Sequence, residues 1–531
     1  MANGLTRREM VAASAAAAIG IGGEAMGASA SAPADAGGLC LNEDDSHFFF
    51  TRAGRELSAH DVEAWVDQYA DTQVRELMLC PNCMRTSYGS KVWDPIWRGY
   101  DPVGPDDQPL LASTRPDDRK GVRGWIHTAW QLDRDGIDPY ALWIRRARAR
   151  GISPWLSMRM NDVHNVDDER SFIHSEFWRA HPEYRRVPDR FREWTDRAFD
   201  YAHKEVRDYH LALIAEMLGR YDPDGLELDW MRFGFHFRPG HEAEGAGILT
   251  EFMATVRRML DRAGRKRRRR ILLGARVPSR PATSLALGMD AATWARRRLV
   301  DMLVVTPFWA SAETDMPIET WKALLAGTGV RLAAGLELLI RPYPGYASPD
   351  TNSLETVRGA AASFLQRGTD RVYLFNHMDS QTAMADQHNY PTLLRECGSL
   401  RTLAGKPRRH VVTFADTWAP GEPQAALLPR AVSPGGLAAF RVATGPKPAG
   451  ACVVRLGIAG ADAAAAGRWE VRANGVPCAF LGPQTGPAPW PRFPVMGYAI
   501  ETDAMHDGHT LIEVAPTSPG TIHWVEVAVS A

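Results

Sequence analysis

Residues 224–232 read DGLELDWMR, with Glu227 and Asp229 one residue apart in an apolar run. Burying a carboxylate costs free energy unless it is paired or used, so these two acids are the first candidates for chemistry. In an extended strand Leu226, Leu228 and Trp230 share one face, and Gly225, Glu227 and Asp229 share the other. If the leucines face a helix layer, both acids point away from it and Asp229 comes last. Glu337 ends a similar run, AAGLELL, with small Ala333 and Gly335 in its phase leaving room beside it. A pair of carboxyls can protonate a leaving oxygen and supply a nucleophile or base, the minimum for splitting a glycosidic bond. Arg232 and Arg276 near Asp229 favour its charged form, whereas the more apolar surroundings of Glu337 suit a proton donor. Glu227, deeper in the strand, is a reserve partner or an orienting group. A salt bridge to Arg159 or Arg276 is the structural alternative for Glu227 and Asp229, and one to Arg341 for Glu337.

Other polar residues cluster after apolar runs. SMRMNDVH, residues 157–164, offers Arg159, Asn161, Asp162 and His164 for binding hydroxyls or carboxylates, or simply a loop capped by Asn and Asp. Trp230, Arg232, Arg276, Trp309, Asn376 and His377 also follow such runs. The arginines suit an acidic or sulfated sugar. The 17 Trp are core formers first, but their faces also hold sugar rings.

The elements that must position these groups alternate along the chain. Strand-like runs lie at 47–52, 74–80, 152–159, 224–230, 270–277, 301–308, 330–337 and 371–376. Amphipathic stretches at 59–70, 139–150, 201–219, 246–263, 289–298, 316–326 and 353–367 separate them. Eight such units predict a (β/α)8 barrel over residues 45–400. A doubly wound open sheet is disfavoured by the lack of a GxGxxG after the first run. Insertions around 82–137 and 160–200 follow strand ends, where barrels carry binding loops. From 405 to 531, short alternating runs between Gly and Pro turns predict a β-sandwich without an essential catalytic acid.

Composition sets the remaining bounds. Hydrophobic content of 45 % and charged content of 24 % are those of a globular chain, and a net charge of −1 gives no global pull toward nucleic acid. The run Arg265–Arg270 reads as a solvated helix end. Cys80 and Cys83 form a lone CxxC without a second ligand pair, so no metal or cofactor is expected. A local disulfide there, or one between Cys452 and Cys478, stays open. Thr6-Arg7-Arg8-Glu9-Met10, an Ala-rich stretch and Ala28-Ser29-Ala30 and Ala30-Ser31-Ala32 look like a twin-arginine signal over residues 1–32. It implies handling by the export machinery and a periplasmic or extracellular location. The apolar stretch is too short for stable membrane insertion.

The phrase DGLELDW resembles the fourth-strand signature of family 18 chitinases, whose terminal Glu is the acid; Met231 stands at that place here, so that role does not transfer. Lys204-Glu205-Val206-Arg207-Asp208-Tyr209 followed by Tyr221-Asp222-Pro223-Asp224-Gly225-Leu226-Glu227-Leu228-Asp229, with the late segment 335–377, is more similar to the glycosyl-hydrolase-like family 10 barrels. That resemblance covers roughly residues 150–380. It implies a barrel enzyme acting on a poly- or oligosaccharide. A non-catalytic carbohydrate-binding protein on a degenerate barrel is the competing reading.

Overall fold

A computed structural model describes residues 37–347, 350–379, 386–460 and 463–531. The twin-arginine segment lies outside the described residues. Eight parallel strands close into a barrel: β1 (Leu39–Glu43), β2 (Val74–Leu79), β3 (Ser153–Arg159), β4 (Gly225–Asp229), β5 (Leu272–Pro278), β6 (Met302–Thr306), β7 (Arg331–Leu336) and β8 (Arg371–Leu374). β1 pairs with both β2 and β8 and so closes the ring.

Seven of these strands fall where the apolar runs place them, and the first does not. Residues 47–51 are a helix, His47–Thr51, whose Phe48 packs edge-on against Trp65 and Trp143. The strand is the preceding LCLNE, fully buried along its length. It lies before the run at 47–52 that the sequence suggested, and its Asn42 points into the barrel and donates to Tyr373 Oη at 3.0 Å.

Alternation sorts each strand into two faces. Leu226, Leu228 and Trp230 join the large core between strands and helices. Cys40, Met78, Trp155, Met302, Val304, Ala333, Tyr373 and Phe375 fill the barrel itself. Trp155 takes so much of that volume that β4 carries Gly225 beside it: a Cβ there would stand 2.2 Å from the indole. At the N-terminal end of the barrel, Glu76 accepts from Arg331 at 2.7 Å and Arg371 at 2.9 Å. The C-terminal ends of the strands therefore remain as the open mouth.

Beyond the barrel, a six-stranded and a four-stranded antiparallel sheet share one core containing Val454, Leu456 and Val527 from the first and Phe440, Val442 and Ile512 from the second. The helix Leu354–Gln366 packs on the strand Arg408–Val411, close enough that a Cβ on Gly359 would meet the Arg409 carbonyl at 2.0 Å. All six cysteines are unpaired. Among the described residues no helix is long and apolar enough to cross a membrane.

Candidate active site

Register lines up Arg159, Asp229 and Arg276 on neighbouring strands β3, β4 and β5. All three side chains are interior and buried. Arg276 Nη1 donates to Asp229 Oδ2 at 2.7 Å. Asp229 Oδ1 accepts the backbone N–H groups of Met231 and Arg232 at 3.0 and 2.8 Å, so the chain turning out of β4 wraps its own last carboxylate. The Arg276 guanidinium also lies 3.8 Å over the Phe375 ring. Its Nε and Nη2 atoms are buried without a hydrogen-bond partner.

One layer deeper, Glu227 Oε1 accepts from Ser157 Oγ at 2.6 Å and Tyr373 Oη at 2.7 Å, while Oε2 has no partner. Burial, then the charge of Asp229, pushes the Glu227 carboxyl up to about 7.

Glu337 follows β7. Its Oε1 accepts from Asn376 Nδ2 at 3.0 Å and from the Leu338 N–H at 2.9 Å. Its Oε2 is buried and unpartnered. Burial pushes this carboxyl up to about 7, against the opposing pull of the Asn376 donor, Arg232 and Arg276. Asn376 reaches it from a left-handed backbone, φ 62°, a conformation Asn tolerates better than most residues. Buried polar atoms without partners are uncommon in native proteins. Here Arg276, Glu337 and Glu227 each supply at least one, on neighbouring layers of the barrel.

A second charged cluster joins the exits of β1 and β3. Arg159 pairs with Asp44, with Asp45 at 3.0 Å and with Asp162 at 3.1 Å. Burial works against ionising Asp44 and Asp162, yet Arg159 for the first, and His164 with Arg159 for the second, hold both well below the usual carboxylate range. Burial instead raises Asp45. His164 Nδ1 lies 2.7 Å from Asp162 and its Nε2 lies 3.0 Å from Arg232 Nη2. A guanidinium only donates, which assigns the ring proton to Nδ1. Beyond this cluster opens a cleft of about 750 Å³, walled by Asp44, Arg159, His164 and Arg232, by Trp125 of the first insertion and by Phe172 of the second. Arg232 links the two clusters, because its charge also acts on Glu337.

Aromatic rings continue the rim. His164 packs edge-on against Phe233, Phe233 against Trp194, and Trp194 stacks on Phe308 at 5.8 Å. Phe233 sits at φ 74°, an uncommon state for a bulky residue that is found at functional turns. Trp309, next in the chain, is 46 % exposed.

Three expected binding residues lie elsewhere. Trp230 is fully buried among Tyr201, His236 and Phe252 on the helix side, as its alternation with Leu226 and Leu228 requires. Asn161 spends its amide on the backbone of Phe199 and Phe235, tying two loops together. His377 is sealed from solvent with Nδ1 3.0 Å from the Phe375 carbonyl, and burial pushes it down to about 4. Conversely, Asp44, Asp45, Tyr373, Phe233 and Trp194 belong to the site without having been singled out. The signal for the first two was the acidic end of LCLNEDD, hidden by the misplaced first strand.

No protein-family profile matches the chain, and no curated protein matches it. Among solved structures it is similar to α-L-fucosidase isoenzyme 2 from Paenibacillus thiaminolyticus, at 12 % identity and TM-score 0.40, over 67 % of this chain and 48 % of that one. It is also similar to the catalytic domain of chitinase B from Arthrobacter TAD20, at 11 % identity and TM-score 0.37, over 68 % of this chain and 94 % of that one. A third is chitinase ChiA74 from Bacillus thuringiensis, at 9 % identity and TM-score 0.37, over 92 % of this chain and 100 % of that one. The chain spans about half the length of the fucosidase (48 %). The assignment of the fold rests on the closed order of the eight parallel strands.

Proposed function

We propose that this chain is a glycoside hydrolase of the glycosyl-hydrolase-like family 10 type, exported through the Arg7–Arg8 signal, that cleaves a poly- or oligosaccharide at the barrel mouth. What supports the reading is that two carboxyls in unlike surroundings stand at the C-terminal ends of β4 and β7, and both act on the Arg276 charge. Glu337 is buried, keeps one oxygen unpartnered and is pushed up to about 7. Asp229 is paired with Arg276 at 2.7 Å. Two carboxyls whose surroundings differ in this way divide acid from base. Glu337 protonates the glycosidic oxygen as the bond to the anomeric carbon breaks. Asp229 Oδ2, with one donor and lone-pair capacity left, attacks that carbon or activates water. Arg276 and Arg232 act on the negative charge left on Glu337 once its proton has gone to the leaving alcohol, and Glu227 supports the strand below. Trp194, Phe233 and Phe308 offer faces for sugar rings.

One observation favours a second reading, carbohydrate binding without turnover. Asp229 is 1 % exposed and Glu337 2 % exposed, and both Asp229 oxygens already accept hydrogen bonds. In that reading Asp229 is an anchor for the turn after β4. Incubating the full chain with a panel of polysaccharides, with product analysis, separates the two. Products formed by the wild type and absent with Asp229→Asn and Glu337→Gln support hydrolysis; retention of glycan without products supports the second.

A further inference from the structure

In the closed strand order, β5, β6 and β7 stand across the barrel from β1–β3 and the cleft. Their exit loops form a rim together with residues 416–418, which follow Arg408–Val411, the first strand of the six-stranded C-terminal sheet. Asp416 accepts three consecutive backbone N–H groups, from Phe308 at 2.8 Å and from Trp309 and Ala310 at 2.7 Å each. This fixes the β6 exit loop with the Trp309 ring exposed. Arg341, after β7, stands 5.6 Å from that ring. Among the described residues its buried Nε has no hydrogen-bond partner, and the Asp416 carboxylate acts on its charge without touching it. Arg280, after β5, lies 4.4 Å over Trp418 and shares only Glu313, at 3.2 Å. Glu313 is in turn held by Ser279 Oγ at 2.5 Å. A partly desolvated guanidinium that no carboxylate contacts directly has capacity for a ligand anion, and a planar fork beside an indole face is the arrangement that grips a charged pyranose.

We propose that this rim is a subsite for an anionic sugar residue, a uronate or a sulfated pyranose, stacked on Trp309 and gripped by Arg341 and Arg280. The proposal rests on the carbohydrate-directed reading above and adds the charge of the substrate. Because Asp416 and Trp418 come from beyond the barrel, the C-terminal region completes the subsite.

The test is binding to the full chain at low ionic strength, where charge pairing is least screened. D-glucuronate, D-glucose 6-sulfate and D-glucose are titrated with ligand-observed NMR and tryptophan fluorescence as readouts. At least one anionic sugar should bind about tenfold more tightly than glucose, the worth of one charge-assisted contact. Preference for glucuronate alone identifies a carboxylate and for the sulfate alone a sulfate group. Arg341→Ala should bring the preference to within about twofold, and Arg341→Gln, closer in shape, should do the same if the alanine variant folds poorly. Equal binding of all three sugars, or a preference that survives both variants, overturns the proposal. The readout is independent of turnover: anion preference without hydrolysis of any glycan sinks the hydrolase reading alone, and hydrolysis without anion preference sinks the subsite alone.

Discussion

Arg276 donates to Asp229 at 2.7 Å across the β4–β5 pair, and neither side chain is more than 2 % exposed. A buried ion pair of this kind is strongly destabilising to break from one side, because the other charge is left without a partner. Asp229→Asn should therefore lower unfolding free energy by about 3 kcal/mol as well as cut turnover by at least about 100-fold. The double variant Asp229→Asn with Arg276→Met should regain stability and stay inactive. Denaturant unfolding alongside product release checks both; an active Asp229→Asn protein removes Asp229 from the chemistry.

If Glu337, pushed up to about 7 by burial, is the proton donor of the proposed reaction, it sets the alkaline limb of the rate profile. Turnover should fall about tenfold per pH unit once pH exceeds that value. Glu337→Gln should lower the rate by about 10²–10⁴ and flatten the limb. A limb unchanged in that variant places the donor elsewhere.

The buried carboxyls Glu227, Glu313 and Glu337 are each raised from 4.5 to about 7. Folded, they hold a proton that the unfolded chain releases across that window. Each therefore makes stability fall as pH rises from about 4.5 to about 7, by roughly 3 kcal/mol at most, with no further loss above. Urea unfolding at pH 5 and pH 8 should show the drop, and Glu337→Gln should lessen it. An undiminished drop in Glu337→Gln contradicts the burial assigned to that group.

Gly225→Ala tests the packing inside the barrel. The added Cβ would stand 2.2 Å from Trp155, whose ring has no exposure and no room to turn. Overpacking of this kind costs about 1–3 kcal/mol. The loss should be relieved in Gly225→Ala with Trp155→Phe, read by thermal unfolding; an unperturbed single variant contradicts the close approach.

Seven barrel strands were legible because each carries a compact apolar run that ends in polar residues. β1 was not, because its interior face is polar: Asn42 has no apolar role and works only through Tyr373 and Ser157, partners far along the chain. The aromatic HFFF looked the better strand, yet its rings serve a helix. Two acids of the rim, Asp44 and Asp45, went unnoticed with it. Alternation placed Trp230 on the helix side; its nearness to Asp229 in the chain suggested otherwise. Pairings such as Glu337 with Asn376 have no signature in spacing, since they depend on how β7 and β8 meet.

The way β1 is held bounds how the N-terminal region can be processed. Gly37, Gly38 and Leu39 donate to Asp370, Gly398 and Gln73, stitching the first strand between β8 and β2. A peptidase that cut on into Leu39–Glu43 would remove the strand that joins β8 to β2 and leave two bare strand edges facing a split cylinder, an invitation to pair with another molecule. If the proposed signal is cut at the Ala-rich sites near residue 32, the cut falls a few positions before that seam in the sequence. Under the proposed export reading, a cleavage site moved into that strand would be read out as aggregation rather than as lost catalysis.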